Sequence, residues 1–232
     1  METDSEKVIR MNEKRKTLGL IHTSATLVPV FAELCAEHLP KVETFNIVDD
    51  SLIKDIIRRE ELTEQTASRV GDYVRLAELA GADQILVTCS SIGAAVEAAA
   101  PTVEAAVLRV DQPMADQAVQ QAKRIGIVAT LSTTLEPTAD LVRRRAAALG
   151  REVELTARLC DGAFDALMSG DAAAHDAMVA KALGELSEQV DVILLAQASM
   201  ARVVDKLDDA QRTVPILASP PTAIEHLRTV FQ

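Results

Sequence analysis

A chain of 232 residues is long enough for one large domain or two small ones, and 48 % hydrophobic with 25 % charged residues is the balance of a soluble globular protein. The net charge of −11 argues against nucleic acid, which calls for a basic face. No apolar run approaches the roughly 20 residues of a membrane helix and no signal-peptide core follows the start, so no membrane partner is expected and cytoplasm is the default location.

Residues 1–16 (METDSEKVIRMNEKRK) read as a charged extension ahead of the fold. Apolar runs then mark strands at 17–22, 42–48, 84–88, 105–110, 124–129, 152–156, 191–196 and 214–218. Between them, apolar residues at helical spacing mark helices at 27–38, 61–80, 93–99, 113–122, 134–148, 174–189 and 221–231. Short apolar strands alternating with such helices predict an α/β fold, its parallel sheet covered on both faces.

The order of elements repeats. TLGLIHTSAT (17–26) lies over RIGIVATLST (124–133), with a glycine inside each strand and a T-x-x-T at its end. ADQILVTCSSI (82–92) lies over VDVILLAQASM (190–200), and AVLRVDQP (106–113) answers PILASPP (215–221), all at a spacing of about 107 residues. Two similar Rossmann-like units, 17–122 and 123–232, are therefore expected to face each other across a pseudo-twofold, with the last helix packing back on the first unit. Ligands of open parallel sheets bind off the carboxyl ends of the strands, where helix N-termini offer free N–H groups to a carboxylate. That rule gathers Thr23, Ser24, Thr26, Cys89, Ser90, Ser91, Thr130, Ser132, Thr133, Gln197 and Ser199 in one cleft between the units.

Among these, Cys89 has two readings: a thiol activated at a helix N-terminus, or a small buried residue closing a strand. Gln197 cannot carry a proton through a reaction, but its amide can donate to a carboxylate or an enolate, or merely satisfy loop backbone. The hydroxyls of Thr23, Ser24, Ser90, Ser91, Thr130, Ser132, Thr133 and Ser199 are carboxylate donors, helix caps, or both. His22 is the one histidine at a strand end, either a second acid or base or a histidine held inside the fold. His38, His175 and His226 fall on helices and are expected to be solvated, as is the run Arg143–Arg145; Arg109 and Asp111 are expected to brace their loop as a pair. Three scattered cysteines (Cys35, Cys89, Cys160) make no disulfide framework, and the histidine spacing makes no zinc site. With no Trp, one Tyr and four Phe, a stacking site for a large aromatic group is not expected, and the ligand is read as small and polar. A third reading, an NAD-linked enzyme, fails on the sequence: no strand is followed by GxGxxG.

The repeat, the strand-loop IGIVATLSTT and the pair VTCSSIG/LLAQASMAR resemble the aspartate/glutamate racemase superfamily, which includes glutamate, aspartate and hydantoin racemases, maleate isomerase and arylmalonate decarboxylase. The resemblance covers about residues 17–225. It implies two cysteines at equivalent places in the halves, one removing and one returning the proton next to a carboxylate, with no cofactor and often as a homodimer. Cys89 matches the first cysteine, and Gln197 stands where the second belongs. The implied protein is a one-cysteine isomerase, racemase or lyase acting on a small carboxylate, with a carboxylate-binding or regulatory protein that kept the fold and lost the chemistry as the alternative.

Overall fold

The computed structural model describes residues 15–204, 206–207 and 212–232, so most of the predicted extension 1–16 lies outside the described residues. The first half runs β1 (Thr17–His22), α1 (Leu27–His38), β2 (Glu43–Val48), α2 (Ser51–Arg59), α3 (Glu64–Leu79), β3 (Gln84–Val87), α4 (Gly93–Ala99), β4 (Ala106–Arg109) and α5 (Gln112–Gln121). The second repeats it: β5 (Arg124–Ala129), α6 (Ser132–Ala148), β6 (Glu154–Leu159), α7 (Ala163–Met168), α8 (Ala172–Ser187), β7 (Val192–Leu195), α9 (Ala201–Val204), β8 (Ile216–Ala218) and α10 (Ser219–Val230). Each half carries one four-stranded sheet, every pairing parallel, in the orders β2-β1-β3-β4 and β6-β5-β7-β8.

Both faces of each sheet are buried, as all-parallel sheets require. In the first, Leu18, Leu20, Leu86 and Leu108 point to one face while Ile21, Ile85 and Val87 point to the other, where α3 and α4 cover them. The face bearing Leu18 and Leu20 is closed by Phe31 and Cys35 of α1, and by Ala223, Ile224 and Leu227 from the last helix of the chain, α10. The mirror arrangement holds in the second half. Ile125, Ile127, Val192 and Leu194 are closed by Leu135 and Val142 of α6, and by Met114, Ala115, Ala118 and Val119 of α5. The two halves thus exchange their final helices, and the packing boundary does not follow the sequence boundary at 122–123.

The repeated glycine has a steric cause. A Cβ on Gly126 would lie 2.6 Å from Leu186 Cδ2, so α8 sits on the sheet at a distance only glycine permits. Gly19 occupies the matching place under Ala77 and Ala82, at 3.4 and 3.2 Å.

Three helices escape the sequence reading, α2, α7 and the short α9, and β6 runs 154–159 rather than 152–156. In α2 the helical signal exists, since Leu52 and Ile56 are its buried pair, but it follows β2 with a two-residue connection. In β6 the run EVELTARL alternates apolar and polar residues on an edge strand, which leaves the start undefined until Arg124 pairs with Glu154. No described helix is long and apolar enough to cross a membrane.

Candidate active site

Just past the carboxyl ends of β3 and β7 lie Cys89 and its repeat mate Gln197. Ile21 pairs with Val87 in the first sheet, and Val128 pairs with Leu195 in the second. Cys89 and Gln197 each lie two residues further on. Both are extended, at φ −136°, ψ 121° and φ −132°, ψ 137°, and each opens a 3-10 turn, Ser90–Ile92 or Ala198–Met200. They are equivalent positions by register as well as by sequence.

The backbone N–H groups of Ser91 and Ile92 and the Thr23 hydroxyl act on the Cys89 sulfur. These donors favour the thiolate, but burial opposes them and is the larger effect, and the nearby Asp111 carboxylate pushes the same way. The thiol is therefore raised and rests protonated at neutral pH. Cys35 and Cys160, buried where Cys89 is half-buried, are pushed up to about 11 by desolvation and lie within the core.

Gln197 makes the contacts of its half in the same pattern. Its Oε1 accepts from the Thr130 N–H at 2.6 Å and from the Thr130 hydroxyl at 3.0 Å, and Thr130 is the repeat mate of Thr23. Its Nε2 donors have no partner among the described residues. Thr133 has a buried hydroxyl that is likewise without a partner, whereas its mate Thr26 is exposed and bonded to Ser24 at 2.8 Å. Ser90 and Ser91 are buried, and the Ser91 hydroxyl meets Thr134 of the other half at 3.1 Å, joining the halves at the turn. Ser132 and Ser199 are exposed, and Ser24 is half-buried. The structure thus groups Thr23, Cys89, Ser90 and Ser91, and groups Thr130 with Gln197. Thr134, missed in the sequence, joins the first group; its signal was the extra hydroxyl in STT (132–134).

His22 does not face an open cleft. It is 0 % exposed and both ring nitrogens are engaged, Nδ1 with the Thr88 hydroxyl and Nε2 with Asn46 Oδ1, each at 2.8 Å. Asn46 Oδ1 only accepts, so Nε2 donates to it, while the Thr88 hydroxyl that meets Nδ1 also reaches the Ile21 carbonyl at 3.2 Å. Phe31 tilts against the ring at 5.6 Å. Burial lowers its pKa, with the Asn46 bond opposing less strongly, so the ring stays neutral. A direct proton-transfer role expected from its strand-end position is not what this setting offers: it holds Thr88, the residue before the thiol. His22 contributes stability in full above its unfolded pKa of about 6.5, and that contribution is lost as pH falls toward the lower folded value. Thermal unfolding between pH 7.5 and 5 should show this loss, and His22→Gln should flatten that part of the curve.

Other expectations change as well. His175 is buried rather than solvated, its Nδ1 2.9 Å from Asp176 and its Nε2 without a partner. Arg144 and Arg145 are not a free solvated face, for they bind Glu97 and Asp116 of the first half. Arg109 and Asp111 do pair: Nε reaches Oδ1 at 2.9 Å and Nη2 reaches Oδ2 at 2.8 Å. Among the described residues, no group of three or more His, Cys, Asp or Glu is placed to hold a metal ion.

Two parallel α/β units facing across a pseudo-twofold, with threonine loops and a cysteine-or-amide position at matching strand ends, define a racemase-type fold. The chain belongs to the Asp/Glu/Hydantoin racemase family, whose model matches residues 18–227. Solved structures of similar fold include an aspartate racemase from Picrophilus torridus (TM-score 0.72, 14 % identity, covering 93 % of this chain and 94 % of that one). A glutamate racemase from Bacillus anthracis (0.70, 18 %, covering 95 % and 83 %) and an allantoin racemase from Klebsiella pneumoniae (0.68, 17 %, covering 93 % and 87 %) are also similar. At these identities the likeness is one of fold. No curated protein matches the sequence. Family membership supports an isomerase or racemase.

Proposed function

We propose that this chain is a cofactor-independent isomerase, racemase or lyase that acts at the carbon next to a carboxylate of a small acid, with Cys89 as its one catalytic thiol. The observation that carries this reading is the unequal pair at equivalent positions, a protonated thiol on one side and an amide on the other. A resting thiol is an acid. It can deliver its proton to one face of an enolate, while Gln197 Nε2, the Thr133 hydroxyl and the N–H groups at the start of α6 receive the carboxylate or enolate oxygens. Free two-base racemisation needs a second acid or base on the opposite face, and glutamine supplies none.

The test is incubation with small mono- and dicarboxylates in D2O, followed by NMR. The expected result is deuterium entering one face of the carbon next to the carboxylate, isomerisation, or loss of CO2. If no acid reacts, and carboxylates shift the unfolding temperature equally in wild type and Cys89→Ser, a carboxylate-binding role replaces the enzyme.

The electrostatics narrow the ligand. The grouped donors are neutral, and Asp111, the carboxylate whose charge acts on the thiol, is bonded on both oxygens to Arg109. Among the described residues grouped at the site, none offers a free carboxylate to an ammonium. Acids without an amino group should therefore slow alkylation of Cys89 by iodoacetamide at lower concentrations than the matching amino acids, as peptide-resolved mass spectrometry would show.

A further inference from the structure

The Arg109–Asp111 pair takes no part in the chemistry above, yet it is among the most buried charge in the molecule, with Arg109 3 % and Asp111 0 % exposed. All three nitrogens of its guanidinium are engaged. Besides the two bonds to Asp111, Nη1 donates to Glu97 Oε1 at 2.6 Å. Glu97 then accepts from Arg144 of α6 at 2.9 and 3.1 Å. A continuous line of charge-assisted bonds thus runs from Asp111, in the first half, to the helix that begins the second.

The thiol's turn lies in the grip of this line. A Cβ on Gly93 would come within 2.2 Å of Arg109 Cζ and 2.3 Å of Nη2. The guanidinium therefore lies against the backbone of the first residue of α4. That residue directly follows the turn Ser90–Ile92, whose Ser91 and Ile92 N–H groups favour the Cys89 thiolate. Glycine at 93 is what allows the approach.

A buried ion pair is a poor route to stability, because desolvation offsets the attraction, and apolar residues of similar volume do as well. The second half makes the comparison directly. Register pairs Val87 with Arg109 and Leu195 with Ala218, so the mate of Arg109 is an alanine. The half with the thiol has the buried charge pair, and the half with the glutamine does without it.

We propose that Arg109 and Asp111 are positioning residues for Cys89, seating the thiol's turn and locking it through Glu97 to Arg144 of the opposite half. The inference rests on Cys89 being the acting thiol. The lock fixes the direction from which sulfur meets the substrate carbon, and the paired Asp111 keeps a negative charge beside the sulfur that disfavours the thiolate. His22, the other titratable group behind the turn, stays neutral and acts through Thr88.

The experiment measures Cys89 alkylation against pH, resolved by peptide, in wild type, Asp111→Asn, Arg109→Lys and Glu97→Gln, with kcat and KM for any substrate found. Asp111→Asn should move the alkylation midpoint to lower pH, because it removes the negative charge beside the sulfur and leaves Arg109 with Glu97 as its one carboxylate partner. Arg109→Lys keeps the charge but loses the fork, and should lower kcat at least about tenfold with KM little changed and without rescue. Glu97→Gln, at the outer, half-exposed link, should fold and lower kcat several-fold. Coincident alkylation profiles in wild type and Asp111→Asn overturn the proposal. Should Asp111→Asn or Arg109→Lys fail to fold, unchanged kcat in Glu97→Gln overturns it alone. The two failures are distinct: the pH profile needs no turnover, whereas activity surviving in Cys89→Ser would sink the reading of the thiol itself.

Discussion

Cys89→Ser is expected to lower turnover about 10²- to 10⁴-fold while leaving carboxylate affinity within a few-fold. Serine fits the site, because the position is extended and its donors are backbone N–H groups and the Thr23 hydroxyl, which an oxygen accepts as readily as sulfur does. What serine lacks is an acidic proton. A hydroxyl gives up its hydrogen far less readily than a thiol, so the enolate waits on slower protonation by water. Loss of kcat with KM preserved is the signature to look for, read by NMR in D2O. The companion Gln197→Cys asks the converse. The backbone there already matches that of Cys89 to within a few degrees in φ, and a thiol in place of the amide should permit exchange on both faces. If Cys89→Ser retains full activity, the one-thiol chemistry is wrong.

The largest expected effect on stability lies far from the site. Ile224→Ala, in α10, should cost about 2–5 kcal/mol, as buried isoleucine truncations do when the site cannot collapse. Ile224 is fully buried, yet the strands it covers are those of the first sheet, beginning some two hundred residues earlier with Leu18 and Leu20. Urea unfolding followed by circular dichroism should therefore show one transition, shifted as a whole, for both halves. Deleting 219–232 removes Ala223, Ile224 and Leu227 together, and should leave no cooperative transition. A variant in which only the second half loses stability would contradict this packing.

Much of the arrangement was legible because the central strands are continuous apolar runs. β1 and β5 fall on 17–22 and 124–129, the ranges their sequences predict, and helices 27–38 and 93–99 are likewise found where expected. The equivalence of Cys89 and Gln197 was also readable, since the repeat is carried by consecutive residues and register preserves it. Harder to read was whatever depends on partners distant in the chain. His22 looked like a cleft residue because it ends a strand, but its fate is set by Asn46 and Thr88, which are 24 and 66 residues away. Arg144 looked solvated because its neighbours in sequence are arginines, and its partner Glu97 stands 47 residues back. The crossing of α5 onto the second sheet is of the same kind. Its face of Met114, Ala115, Ala118 and Val119 is plainly apolar, but nothing local says which sheet it will cover.

The unequal pair has a further meaning once the repeat is seen as one covalent chain. In a symmetric dimer of a single unit, every substitution appears twice, and the two walls of a shared cleft must remain identical. Joining the units end to end lifts that constraint. One wall is free to hold a thiol, a buried arginine and the glycine that admits it, while the other takes glutamine and alanine at the same coordinates of the fold. On the proposed one-thiol chemistry, handedness at a carbon between the walls then follows from the linkage itself, because a cleft with two different sides can tell one face of a planar intermediate from the other.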